Sequence, residues 1–543
     1  MWRRWSRAAF IAAVFVSGLA VGGWGRWSGE LLAADPTVAD AQEIQRLIGQ
    51  LGAPSFVDRT EATHRLEQLS SAAFPALIDA LSNVDSEVRS RVTRLVFAQI
   101  LPVATPEAVR NAVAGRAKLQ QMASEGSEES RRRAQAIVQE FESLLNQRVT
   151  ALNTFAGRNA MAAWRPIAQT RDRLDLTRRQ FDDHDLNVLC HLDQLVAVSL
   201  AETTISDRAL IFVGQLPNLQ ELNLQRTRIT GAGLKHLAEC KQLKLLNLEF
   251  TRASDEGMAT LGALPALQTL YLGGSRVHGE GIADLAKSKS LEYLSLQFLP
   301  VGDEQLAAIG GMAQLKALGL DDTRVTDAGL KHLGQLPQLE KLWLDRTAVT
   351  DAGLPLLRAL AGLKWLDLGG TKITAAGLSQ LEGLTNLERL WLDACQLPDE
   401  SLEPVSRLTK LTLLDLHDNP LTDTAVPRLE KLVNLTELNL RGTKLEGKTL
   451  KSLEPLVNLQ TLWLSGTPLT DEGLKQLADT VPSLKELHLA DTKVSVDGLK
   501  ALWKLQNLET LDLTGSSISD TDVDEFQRGH PNQTLRIRYR AAR

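Results

Sequence analysis

The sequence predicts a mixed α/β solenoid, with one curved parallel sheet on its concave face and short helices on its convex face, preceded by a small all-α domain. Two observations carry this. A template of apolar residues repeats every 24 positions from Arg171 to about Pro531, with unit starts at Arg171, Leu195, Leu219, Leu243, Leu267, Leu291, Leu315, Leu339, Leu363, Leu387, Leu411, Leu435, Leu459 and, after one extra residue near Val481, Leu484 and Leu508. Within each of these fifteen units the apolar period switches. In residues 339–362 Leu342 and Leu344, at offsets +3 and +5, alternate with polar or aromatic residues as a half-buried strand does, whereas Leu354, Leu357 and Leu360, at +15, +18 and +21, follow a helical period. A helix of two turns lies below the roughly 12–15 residues needed for marginal stability in water, so the units must stack to survive.

Taken in chain order, residues 1–23 open with Arg3, Arg4 and Arg7 and continue in sixteen uncharged, mostly apolar residues. That is the form of a secretory signal or an uncleaved signal-anchor, and it implies export, with Trp24 and Trp27 placed as interfacial anchors. Sixteen residues are short for a hydrocarbon core of ~30 Å, and membrane anchoring at the N-terminus is the favoured reading of residues 1–37. Residues 38–153 form the helical domain. Up to about Val103 the pattern reads as three or four amphipathic helices, broken at Gly52-Ala53-Pro54 and near Ser82-Asn83; residues 105–153 follow as charged helix containing the solvated run SEGSEESRRR. Residues 154–170, with Trp164 and Pro166, are placed to cap the exposed end of the solenoid, which occupies residues 171–543. At the far end Leu535 and Ile537 repeat the strand pattern without a helix, beside Arg536, Arg538 and Arg540.

Three columns of the repeat read as structure. Offset +8 is Thr in nine units, where a hydroxyl can satisfy backbone groups as the chain turns into the core. The Thr-Asp pairs, such as Thr326-Asp327 and Thr350-Asp351, stand at the change of period, where the carboxylate can cap a helix start. Offset +14 is Gly in eight units, which suggests close approach of neighbouring helices. Cys190, Cys240 and Cys395 fall in different units and read as buried small hydrophobes.

The pattern LxxLxLxxTxITDxGLxxLxxL resembles the leucine-rich repeats of the cysteine-containing, F-box-associated subtype, in a shortened form common in bacterial envelope proteins. Cys395 at +8 and Cys240 in LAECKQL stand where that subtype carries cysteines. The helical segment weakly resembles a pair of HEAT-type repeats, with Pro75 and Asp85-x-x-Val88-Arg89 at the expected places. The resemblance implies a leucine-rich repeat solenoid that binds partners.

Offsets +2, +4 and +6 should point onto the concave face, and there the units depart from sameness. Tyr271, Trp343, Asp367, Trp391, Asp415 and Trp463 stand at +4, Tyr293 and Trp365 at +2, and Asp321, Asp345, Asp393, His417 and Arg441 at +6. Aromatics make up only 5% of the chain, so their gathering on one face rimmed by charge suggests a binding surface rather than cross-strand covering alone. Trp343 and Trp391 should lie about 9.6 Å apart, with Trp365 on the rung between them. Asp393, His417 and Ser465 look like a catalytic set, but His417 and Ser465 are two rungs and about 9.6 Å apart, too far for a nucleophile and its base. Calcium at Asp321, Asp322 and Asp345 is conceivable but would need 6–8 oxygens, and no metal-spaced Cys/His set or phosphate loop appears. A net charge of −6 argues against nucleic-acid binding. The sequence therefore points to a non-enzymatic, cofactor-free, exported protein that binds a protein or peptide on its concave face. A glycan ligand, or an envelope spacer without a ligand, is the alternative.

Overall fold

The computed structural model describes residues 41–82, 85–100, parts of 113–139, 172–180, 183–532 and 534–539. The predicted signal or anchor, the cap at residues 154–170, and Arg540 lie outside them. No helix among the described residues is long and apolar enough to cross a membrane.

The solenoid is a single sheet of sixteen parallel strands in sequence order, from β1 (Arg173–Asp175) to β16 (Arg536–Arg538). Each strand is three residues long and in register with the next, at 24-residue intervals except for 25 between Thr461 and Glu486 and 26 between Thr510 and Arg536, so Lys341, Leu342 and Trp343 pair with Trp365, Leu366 and Asp367. The leucines at +3 and +5 are fully buried, and the column continues as one core into the helical segment through Leu174, Ile137, Leu119 and Val96. Among the described residues that segment includes the helices α1 (Ala41–Gln50), α2 (Phe56–Asp79) and α3 (Ser86–Ile100), with further helical residues between 113 and 139. Arg116 ties it to the first repeats by donating to the His191 carbonyl at 2.7 Å and to Asp193 at 3.2 Å.

The convex side differs in two respects from the sequence expectation. Its helical stretch ends before +21: in one unit Asp327–Leu330 is followed by a 3-10 turn at Leu333–Gln335, and Leu336 lies beyond it, still buried. A 24-residue unit leaves too little chain for a longer helix, and several units close in i→i+3 bonds throughout, as at Gly231–Leu237. The unit with the extra residue spends it on a ten-residue α-helix, Asp471–Thr480.

The second correction concerns the Thr-Asp pair. Threonine, not aspartate, is the cap: Thr326, Thr350, Thr374 and Thr422 each accept the N–H two residues on at 3.2–3.3 Å. The aspartate reaches across to the following repeat. Asp303, Asp327, Asp351 and Asp399 accept the backbone N–H and the hydroxyl of Thr326, Thr350, Thr374 and Thr422 at 2.5–2.8 Å. This also explains the +14 glycines: a Cβ on Gly329, Gly353 or Gly377 would run into the carboxylate of Asp303, Asp327 or Asp351.

All nine threonines at +8 are buried and donate to the +5 carbonyl of their own unit at 2.5–2.7 Å. Where +8 is Asn419, its amide donates to the Leu416 and Leu392 carbonyls at 3.0 and 2.8 Å. Cys240 and Cys395 are buried free thiols, and burial raises them to about 12 and about 11 respectively. The Cys190 side chain lies outside the description.

Candidate functional site

The +2 and +4 side chains of adjacent strands stand on one face, and five aromatics there form an unbroken row. Tyr271 on β5 (Thr269–Tyr271) meets Tyr293 on β6 (Tyr293–Ser295) with ring centroids 4.9 Å apart. Tyr293 meets Trp343 on β8 (Lys341–Trp343) at 6.0 Å, across the intervening strand, which presents only Ala317 and Gly319 on that face. Trp343 and Trp365 on β9 (Trp365–Asp367) follow at 6.2 Å, and Trp365 and Trp391 on β10 (Arg389–Trp391) at 6.3 Å, both edge to face. Each ring is half-buried, because neighbouring rings cover part of one another, so the face is less open than freely exposed aromatics would make it.

Two cations sit on the row. The ammonium of Lys341 lies 3.7 Å from the Trp365 ring centroid and the guanidinium of Arg389 4.8 Å from it. Lys341 was not picked out from the sequence, although it stands at +2 one rung before Trp365, a spacing that could have revealed it.

The aspartates line the other margin in a desolvated setting. Burial pushes Asp367 up to about 7, with the charges of Asp321, Asp345 and Asp393 adding to the shift, and pushes Asp321 up to about 6. Asp345 and Asp393 are raised for the same first reason. Asp321 is buried rather than presented to a partner, accepting from the Gln297 amide and from the Asp345 N–H. The trio considered for calcium is already occupied by a guanidinium: Arg346 bonds Asp322 at 2.6 Å and Asp345 at 2.7 Å.

The remaining candidates lie apart from the row. Trp463 stacks on His488 with centroids 5.4 Å apart and planes 13° from parallel. Arg441 is exposed. The Asp393, His417 and Ser465 series divides: His417 is held by Asp415 on β11 (Leu413–Asp415) at 2.7 Å, while the Ser465 hydroxyl accepts the Ala490 N–H at 3.2 Å. A second aromatic pair, missed because only +2, +4 and +6 were read, stands at +7. There Phe250 and Phe298 are exposed, 6.0 Å apart, with Arg226 4.7 Å from the Phe250 centroid.

The family model described as "Leucine Rich repeat" matches residues 215–238, 456–478 and 482–502. No curated protein matches the chain. Among solved structures, an internalin of Listeria monocytogenes is similar at 18% identity and TM-score 0.41, covering 68% of this chain and 94% of its own. A leucine-rich repeat protein of Leptospira interrogans is similar at 24% identity and TM-score 0.43, with 65% and 91% covered.

Proposed function

We propose that this leucine-rich repeat protein is a non-enzymatic binding protein that takes a protein or peptide partner on its concave face between Tyr271 and Asp415. The observation that carries the reading is the continuous row of five aromatic rings, bordered by the cations Lys341 and Arg389 and by the desolvated carboxylates of Asp345, Asp367 and Asp393. Aromatic anchors in a partly desolvated setting supply affinity, and the charged margins set orientation and on-rate. A protein ligand is favoured over a glycan because the Trp365 ring already carries two cations, where a sugar would need an open face. We further propose export and N-terminal membrane anchoring, supported by the basic start and apolar run of residues 1–23. A fusion of residues 1–40 to a reporter checks this, and a cytoplasmic reporter refutes it.

The binding test is an affinity titration with a partner captured by the full-length protein from envelope extract. Trp343→Ala and Trp391→Ala should each weaken it by about 2 kcal/mol or more, a larger effect than the ~0.5–1.5 kcal/mol of stability attached to an aromatic pair. Unchanged affinity with a lowered unfolding midpoint would make the row cross-strand packing.

A further inference from the structure

His417, just beyond β11, is held from one side and open on the other. Asp415 accepts its backbone N–H at 3.0 Å, and the same carboxylate oxygen lies 2.7 Å from the ring nitrogen Nδ1. The second Asp415 oxygen accepts the Asn439 amide at 2.9 Å, which fixes the carboxylate in turn. A carboxylate on Nδ1 makes that nitrogen the protonated one in the neutral ring and leaves the Nε2 lone pair available, the arrangement seen behind metal-bound imidazoles.

Nε2 lies 3.7 Å from Asp393 Oδ2 on the preceding rung and 3.8 Å from Asp418 Oδ2. Asp393, Asp415 and His417 each offer a ligand atom within 4.8 Å of the others. Gly369, at +6 on the rung before Asp393, supplies the room: a Cβ there would stand 2.5 Å from Asp393 Oδ1. The Asp393, Asp415 and His417 side chains keep 19%, 15% and 29% of their surface, so an ion can enter from the concave side into a setting already poor in water.

A metal bonded at ~2.0–2.2 Å to a nitrogen and an oxygen holds them about 3.0–3.5 Å apart, so Asp393 and His417 need close by only a few tenths of an ångström. One imidazole with carboxylates suits zinc, manganese, cobalt or nickel, whereas calcium asks for oxygens alone and more of them. We propose that Asp393 and His417 hold a divalent transition-metal ion of the zinc class, with Asp415 fixing the His417 ring from behind and Asp418 turning in from its exposed side. Water completes the shell toward the concave space. The competing account is an imidazolium ion-paired with three carboxylates and no metal.

The two accounts separate by titrating chelator-treated full-length protein with Zn²⁺ and Co²⁺, with Mg²⁺ and Ca²⁺ as controls, by calorimetry and by the visible absorption of Co²⁺. Saturable 1:1 binding of Zn²⁺ and Co²⁺, but not of the controls, is expected. His417→Gln and Asp393→Asn should each weaken it by at least about tenfold, and Asp415→Asn, which touches no metal, by about 10- to 100-fold. Circular dichroism verifies that each variant is folded. Should one not fold, His417→Cys gives a direct reading, since a Co²⁺–thiolate contact adds an intense near-ultraviolet band to the difference spectrum against the wild-type protein, which carries the same Cys190, Cys240 and Cys395. Absence of saturable binding by the wild-type protein, or wild-type affinity in the folded variants, would overturn the proposal.

Discussion

At the scale of single residues, the recurring constraint is the backbone at +7. In all fifteen units this residue is left-handed, with φ between 51° and 73°, and in ten of them it is not glycine. The conformation lets the +7 N–H extend the ladder to the next unit, as Ala394 does to the His417 carbonyl at 2.9 Å, before the chain dives inward at +8. A left-handed L-residue costs roughly 1–2 kcal/mol; a glycine removes that strain but loses part of the gain to the larger entropy of its own unfolded state. Ala394→Gly, at φ 52°, should therefore raise stability by up to about 1 kcal/mol in denaturant titrations. Titration of the acidic margin gives a second residue-scale prediction. Because the folded chain holds the Asp367 proton up to about pH 7, against an ordinary value of 3.8, this group's contribution to stability is full below about pH 3.8 and is lost as pH rises through about 7. The groups facing it are Asp321, Asp345 and Asp393, whose charges push the same way. The unfolding midpoint should fall between about pH 4 and pH 7 and level off above, and Asp367→Asn should flatten that fall; an unchanged slope in the variant would show that Asp367 ionises freely.

At the scale of the element, what stacks one short convex turn on the next is a three-part joint. The aspartate at +12 of one unit grips the N–H and hydroxyl of Thr at +11 of the next, that threonine caps its own helix, and glycine at +14 leaves room for the carboxylate. Asparagines before the strands add a parallel tie, Asn386 to the Ala361 carbonyl at 2.9 Å and Asn434 to Thr409 at 2.8 Å. Gly377→Ala should cost about 1–3 kcal/mol, because its methyl must displace the Asp351 carboxylate from Thr374. Combined with Asp351→Ala it should cost less than the sum of the two single changes, by about 0.5–3 kcal/mol in a double-mutant cycle. Additive costs would mean that glycine and aspartate do not share one space.

At the scale of the whole molecule, the core is a single column of leucines in which each unit touches its neighbours. A cavity in one rung is therefore shared by two interfaces. Leu344, fully buried at +5, should lose about 2–5 kcal/mol on truncation to Ala, whereas Lys331→Ala on the convex surface should stay within ~0.5 kcal/mol, as read from chemical unfolding. Equal losses at the two sites would contradict the division into buried strand and exposed helix faces.

The sequence by itself determined the period, the first fifteen strand positions and the residues on each face, because a side-chain alternation of two and a register of 24 leave one consistent way to stack. The last strand instead sits two residues later than that register gives, with Ile537 rather than Leu535 opposite Leu511. The +8 threonine ladder was legible for the same reason: one hydroxyl recurring at a turn into the core has one set of carbonyls to satisfy. The direction of the aspartate bonds was not, since a carboxylate beside a helix start can serve its own unit or the next, and only the spacing between neighbouring units selects the second. Which concave residues meet was decided by the tertiary structure in the same way. The sequence put Trp343, Trp365 and Trp391 on one face, but their edge-to-face contacts, the cations over Trp365, the burial of Asp321 and the grip of Asp415 on His417 depend on side-chain rotation and desolvation between strands whose residues are 22–26 positions apart in the chain or share one short strand end, and no periodicity encodes those.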